Sequence, residues 1–292
     1  MAQQRVNDKP TQHMQRHLAS TSRTSTRWAW MGAGLGLALA FITQAPAHWL
    51  TRTIEQASGE RVLLPDAQGT VWNGSAQWVL NEGPLNIATS TNMARPASTT
   101  SLPTRVTWQL GPRLDFANWR LTLSATIASA CCTPQPVRVD VSPLWRGVRV
   151  QVNDHTSRWP ADWLVGLGAP WNTVQPEGLL QLKTRQLQWT QQAGVGHLQG
   201  QAELQLQQLA TRLSPLRPLG SYRVRVEGGD TLALTLDTLE GSLQLQGNGQ
   251  LINGRVRFSG EASAAPDAEA ALSNLLNILG QRQGAKSILK LG

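Results

Sequence analysis

The sequence predicts a mainly β protein: an N-terminal transmembrane helix, then a curled antiparallel β-meander domain with a short C-terminal helix. Three observations predict it. Residues 28–51 hold no Asp, Glu, Lys or Arg, although charges are scattered through the rest of the chain. From residue 61 onward apolar and polar residues alternate with period two through one segment after another. Turn residues rather than helical stretches separate most of those segments, which excludes a parallel βαβ plan.

The uncharged stretch spans 24 residues, about 36 Å as a helix, against a hydrocarbon core of about 30 Å. Trp28, Trp30 and Trp49 stand at its ends, where amphipathic rings favour the headgroup layer. The strictly apolar part, residues 28–42, is shorter and also suits the heart of a cleavable signal peptide, with Ala45-Pro46-Ala47 as a cleavage site. The long segment before it and Trp49 after the site favour an uncleaved anchor. Arg5, Lys9, Arg16, Arg23 and Arg27 against the single Asp8 hold the tail in the cytoplasm, so the remainder is exported. The expected organisation is a basic tail at 1–27, an anchor at 28–50 and an exported β-domain at 51–292.

The net charge of +8 is thus half topogenic. The remaining basic residues are dispersed, with no cluster able to track a phosphate backbone, which argues against nucleic acid as a partner. The two cysteines, Cys131 and Cys132, are adjacent and cannot staple distant segments. Two small residues in a turn ahead of Pro134 and Pro136 is the preferred reading, above a vicinal disulfide.

Residues 47–57 continue as a helix with Leu50 and Ile54 on one face and Gly59 as its stop. Strands follow. Leu198, Gly200, Ala202, Leu204 and Leu206 alternate with Gln199, Gln201, Glu203 and Gln205. The same alternation runs through Val106-Trp108-Leu110, Leu121-Leu123-Ala125-Ile127, Val137-Val139-Val141, Val148-Val150-Val152, Val224-Val226 and Leu232-Leu234-Leu236, and on through Leu243-Leu245 and Val256-Phe258. Each strand thereby offers one apolar and one polar face. Gly111-Pro112, Gly228-Gly229-Asp230, Gly247-Asn248-Gly249 and Asn253-Gly254 read as turns, the last as a two-residue hairpin.

Three segments break the period. Residues 89–104 read as a Ser/Thr/Pro-rich loop. Residues 158–168 allow a short helix, with Pro160 at its first turn and Gly166 and Gly168 at its end. Residues 266–280 form the best soluble helix: Asp267 and Glu269 suit its N-terminus, Gly280 closes it, and Leu272, Leu275, Leu276 and Leu279 share the face that docks on the sheet.

No active site is expected. His13 and His17 lie in the tail and His48 at the membrane boundary, and His155 and His197 have no partner set for a relay. No Cys/His spacing suits zinc and no acidic loop suits calcium, so neither metal nor cofactor is expected. The distinctive residues combine Trp with Gly and Pro. Trp72 sits between two turns in GTVWNG. Residues 166–176, with Gly166, Gly168, Pro170, Trp171, Asn172 and Pro176, carry too many backbone punctuators for helix or strand. That segment is either a structural corner anchored by a buried Trp or an exposed recognition loop, and the corner is preferred.

GTVWNGSAQW, VTWQL, LVGLGAPWNTVQPEG, LRPLGSYRV (with Gly220 and Tyr222) and LEGSLQLQGNGQLINGRVRFSGEA resemble the type II secretion system protein N family. The resemblance implies a single-pass inner-membrane protein of Gram-negative bacteria with its bulk in the periplasm. It implies contacts with the inner-membrane platform or the secretin as well as with the lipid bilayer. The function expected is a non-catalytic accessory component of a type II secretion apparatus, not an enzyme. The alternative is an AsmA-like β-groove protein carrying lipid between membranes, because a dry core and an apolar groove give the same period-two string. An outer-membrane barrel disagrees with the anchor and the single tyrosine.

Overall fold

The computed structural model describes residues 23–83, 98–115, 120–252 and 255–291. The chain divides into two compact units, Met1–Ala45 and Pro46–Gly292. The first 22 residues of the expected tail, most of the expected Ser/Thr/Pro loop and the Asn253-Gly254 turn lie outside the described residues.

The first unit contributes helix α1, Arg23–Thr43. Its large apolar side chains from Trp28 to Ile42 are all exposed. Among the described residues no helix is long and apolar enough to cross a membrane. The stretch 28–50, expected as one anchor, is not one helix: α1 ends at Thr43, and Pro46 precedes helix α2, Ala47–Ala57. The Thr43 hydroxyl donates to the carbonyls of Leu39 and Ala40, satisfying acceptors in the last turn. Pro46 has no N–H to give to α1 and a fixed φ that suits the start of a new helix.

The second unit is almost wholly antiparallel sheet. After α2, which stops at Ser58 with Gly59 at φ +62°, come β1 (Val62–Leu63), β2 (Gln68–Gly69), β3 (Asn73–Ala76), β4 (Val79–Asn81) and β5 (Thr99–Ser101). Then follow β6 (Val106–Asp115), β7 (Arg120–Ser129), β8 (Val137–Leu144), β9 (Gly147–Val152) and β10 (His155–Pro160). A 3-10 helix, Ala161–Leu167, and one turn of α3, Trp171–Val174, lead into β11 (Glu177–Gln192), β12 (Val195–Ala210), β13 (Gly220–Glu227) and β14 (Ala233–Gly241). The chain closes with β15 (Leu243–Ile252), β16 (Arg255–Ala264), α4 (Glu269–Leu279), β17 (Gln281–Gln283) and β18 (Lys286–Leu291). Several expectations change: Gly111-Pro112 lies within β6 and Gly247-Asn248-Gly249 within β15, so neither is the expected turn and the strands run through them. Thr99–Ser101 is a strand within the expected loop, and residues 158–160 are strand, so the expected helix begins only at Ala161.

Among the described residues β1, β4 and β5 form a small sheet, and fifteen strands form one large sheet. Its order follows the chain with few departures: β2-β3-β6-β7-β8-β9-β11-β12-β13-β14-β15-β16-β18-β17, with β10 also on β11. The strand β11 is shared. Residues 188–192 pair with β9, and residues 179–184 pair with β10. The exchange falls at a bulge where Gln186 takes φ +48° and its N–H donates to Asp154 Oδ1 at 2.6 Å. Gly200 faces that bulge at φ +86°, and a Cβ there would collide with the backbone of Arg185 and Gln186.

Register lines up the two faces. Leu182, Leu204, Val224, Leu236 and Gly247 stand in one row across β11 to β15, and Lys183, Glu203, Arg225 and Thr235 in the next. The apolar face is buried at one end. Trp108 packs there with Ala47, Leu64 and Ala76 beside α2. Tyr222, Leu243 and Ala262 pack under Leu272, Leu275 and Leu276 of α4. Each fully buried Leu contributes about 1.5–3 kcal/mol. Leu279, expected on the same stripe, is exposed. The other end of the face is open: Leu114 at the far end of β6 is 61% exposed and Leu121 of β7 is 52% exposed.

Candidate interaction surface

The 166–176 segment is a corner, though not one pinned by its Trp. Gly166 is buried against the small sheet, where a Cβ would meet Thr100 Oγ1 and stand 2.6 Å from the Leu80 carbonyl oxygen. The Gly166 N–H donates to Thr100 Oγ1 at 3.1 Å. Gly168, at φ +79°, leaves no room for a side chain beside Glu82. Ala169-Pro170 is a cis peptide, the Asn172 N–H donates to the Gly168 carbonyl, and Pro176 is fully buried. Trp171 is 37% exposed at the start of α3. The expected buried Trp anchor is therefore corrected: glycine contacts and Pro176 fix the bend, and the indole stands outside it.

Beside this corner three rings meet. Trp159 and Trp163 stack with centroids 5.4 Å apart, and Trp78 stands edge-on to both at 5.9 and 5.2 Å. Cys132 is buried in the same cluster with Leu102 and Val106, while Cys131 is exposed. The two sulfurs are bonded to each other, which corrects the expectation of two unbonded residues in a turn. The turn itself is present: the Thr133 N–H donates to the Ser129 carbonyl, and the Cys131 N–H to Thr104 Oγ1. Trp159 and Trp163 are near neighbours in the chain, but Trp78 comes from a distant position, so no local pattern signalled the meeting of all three.

The other motif residues, Trp72, Gly220 and Tyr222, make contacts within the sheet. The Leu110 N–H donates to the Trp72 carbonyl, tying the turn before β3 to β6. A Cβ on Gly220 would stand 2.5 Å from the Glu240 carbonyl oxygen and 2.9 Å from Tyr222 Oη, so glycine gives the ring its space. Tyr222 is buried, its hydroxyl donates to the Leu243 carbonyl at 2.9 Å, and burial raises its pKa well above the ordinary phenol range.

On the polar face of the large sheet, charges alternate across strands. Burial works against ionisation of Glu203, but the Gln205 amide with Arg223, Lys183 and Arg225 holds its pKa below the usual range. His155 accepts or donates through Nδ1 with the Thr184 hydroxyl at 2.7 Å, within the β10–β11 pair. His197 lies exposed on β12. Among the described residues no three His, Cys, Asp or Glu side chains gather into a metal site.

A further feature is a cavity of about 260 Å³ between α2 and the apolar face of β6 and β7. Leu50 and Ile54 of α2, with Trp108, Leu110, Ala125 and Ile127 of the sheet, form much of its wall. Trp78 also lines it, with its indole N–H buried and unpartnered, and the surface exposed to the cavity is carbon. The indole N–H of Trp108 is turned to the Val71 carbonyl at 3.0 Å.

The corner, the ring cluster and one broad antiparallel sheet define a mainly β protein. The chain belongs to the type II secretion system protein N family, which its residues 60–288 match. It is thereby an accessory component of type II protein secretion. Comparison with curated proteins and with solved structures finds no match.

Proposed function

We propose that this chain is a non-catalytic, single-pass inner-membrane component of a type II secretion apparatus whose periplasmic β-domain docks other secretion subunits. Family membership supports the setting. The observation that carries docking is Trp171: a large amphipathic ring, 37% exposed, on a bend that Gly166, Gly168 and Pro176 make rigid. Aromatic side chains held at low entropic cost are the usual energetic centres of interfaces. The uncharged stretch 28–51, the basic residues ahead of it and the exposed apolar side chains of α1 support the anchor and its orientation. Platform subunits and the secretin are the proposed partners.

Three measurements test this reading. The full chain should remain in the membrane fraction after alkaline carbonate extraction, and a reporter fused after Gly292 should be active only in the periplasm. Trp171→Ala should reduce co-purification with platform or secretin subunits at unchanged abundance. Release by carbonate rejects the anchor, and undiminished co-purification rejects Trp171 as the docking residue.

A second reading, lipid carriage along an apolar groove, is favoured by one observation. The apolar face of the large sheet is uncovered toward the β6–β7 hairpin end, where Leu114 and Leu121 are exposed. Mass spectrometry of lipid extracted from the purified full chain tests it.

A further inference from the structure

We propose that the cavity between α2 and strands β6 and β7 is the binding site for a single acyl chain of a membrane phospholipid. The proposal rests on the second reading above, that the apolar face receives lipid, and adds to it where the lipid enters and how many chains the entrance holds.

The chemistry of the wall selects the ligand. The surface that the cavity exposes is all carbon, so a hydrogen-bonding group entering it would lose water without gaining an accessible partner. A peptide strand laid flat on this face would leave its own N–H and C=O groups unpaired, because the donors and acceptors of a sheet lie in its plane and not on its face. A helix, about 10 Å across, is too wide for 260 Å³. A hydrocarbon chain meets neither obstacle, and apolar cavities of roughly this kind take up hydrocarbon in preference to water.

The surroundings fix the length and the source. From Trp108 the same face continues through Leu110 and Pro112 to Leu114, with Leu123 and Leu121 standing across from the last two. Those seven positions of β6 span about 20 Å at the rise of a strand. One leaflet of hydrocarbon is about 15 Å deep, so a whole acyl chain fits along the strip with its inner end beneath α2. Exposure of Leu114, Leu121 and Leu123 marks the open mouth. Three residues separate helix α2, which supplies the lid residues Leu50 and Ile54, from the exposed apolar helix α1 in the chain. That short tether makes membrane phospholipid the nearest supply of acyl chains.

The test reconstitutes the full chain in phosphatidylcholine vesicles doped with phosphatidylcholine that bears a diazirine on one acyl chain. After illumination, adducts are mapped by peptide mass spectrometry. Adducts on α2 and on β6 and β7 are expected, together with adducts on α1 from the surrounding bilayer. Ala125→Trp, which fills the cavity, should lower the sheet adducts at least fivefold and leave those on α1 unchanged. Should that variant fail to fold, Leu123→Gln at the exposed mouth carries the same expectation. Adducts confined to α1, or sheet adducts indifferent to both variants, overturn the site. Labelling by a diazirine fatty acid but not by the phospholipid overturns the assignment to phospholipid. Lipid that co-purifies with the chain while adducts map under α4 leaves the carrier reading standing and removes this site alone. No co-purifying lipid and no sheet adduct remove both.

Discussion

Gly166 and Thr100 lie 66 positions apart, and the Gly166 amide donates to the Thr100 hydroxyl at 3.1 Å. The same hydroxyl donates to the Trp163 carbonyl at 2.5 Å, so one side chain of β5 fastens the 3-10 helix at two points. Through it the small sheet β1-β4-β5 holds the corner in place.

Gly166→Ala should therefore destabilise the protein. Its methyl group would overlap Thr100 and the Leu80 backbone, an overpacking that costs about 1–3 kcal/mol. Thr100→Val leaves the buried Gly166 N–H without its acceptor and should cost about as much. Thermal unfolding of the full chain measures both.

Trp171→Ala should leave the melting temperature nearly unchanged, since the ring is exposed at the start of α3 and surface changes stay within about 0.5 kcal/mol. A loss of ~3–5 kcal/mol, typical of a buried aromatic, would show that the indole pins the bend after all.

The burial gradient along the apolar face sets a third expectation. Leu243→Ala, beneath α4, should cost about 2–5 kcal/mol because it empties space between Tyr222, Ala262 and Leu276. Leu114→Ala, at the open end of β6, should cost under about 1 kcal/mol, since its side chain is already in contact with solvent. Equal costs in denaturant titrations would mean that the open end is covered in solution.

Tyr222→Phe keeps the ring and removes the hydroxyl that donates to the Leu243 carbonyl. With both residues buried, the orphaned carbonyl should cost about 1–3 kcal/mol. A silent substitution would show that another donor serves that oxygen.

Asp66 supplies a pH-dependent element. Arg105 bonds its carboxylate and backbone carbonyl, reaching on to Ser75, and the hydrogen bond from Arg105 is the chief cause that lowers the Asp66 pKa, with Gln68 adding to it. Because the folded-state value is depressed, this contribution is full above the unfolded-state value, near pH 4, and fades as pH falls through the folded value. Asp66→Asn should flatten the melting temperature against pH in that acid window and nowhere above it. An unaltered acid limb in the variant rules the pair out as a contributor.

Much of the fold was legible because side-chain direction alternates along a strand whatever lies beyond it. The period-two runs at 121–127, 137–141, 148–152 and 198–206 all fall in strands. The helix at 47–57 and the leucines of α4 were equally readable from their spacing. Coverage was not readable, because the string Val-x-Val-x-Val is identical beneath a helix and beneath solvent. Leu204 shows this: it alternates as regularly as Leu206, yet it is exposed where no helix reaches it. The β11 bulge did leave a trace. Apolar residues occupy even positions at Leu180 and Leu182 and an odd one at Trp189, a change of parity that an extra residue must produce. The corner was recognisable from its glycines and prolines, but their pinning contacts come from Leu80, Glu82 and Thr100, too distant in sequence for any local pattern.

The neighbour-to-neighbour order of the large sheet bears on how the chain acquires it. Most strands from β6 to β16 bind the strand just made, so most of the closures span one short connection and each is cheap. Such a sheet can zip from hairpin to hairpin, every strand templating the next on its free edge. The closure of β5 onto the 3-10 helix, across 66 positions, is a slower and separate event. A chain delivered lengthwise would thus carry a growing edge at its front, open to pairing until the following strand arrives.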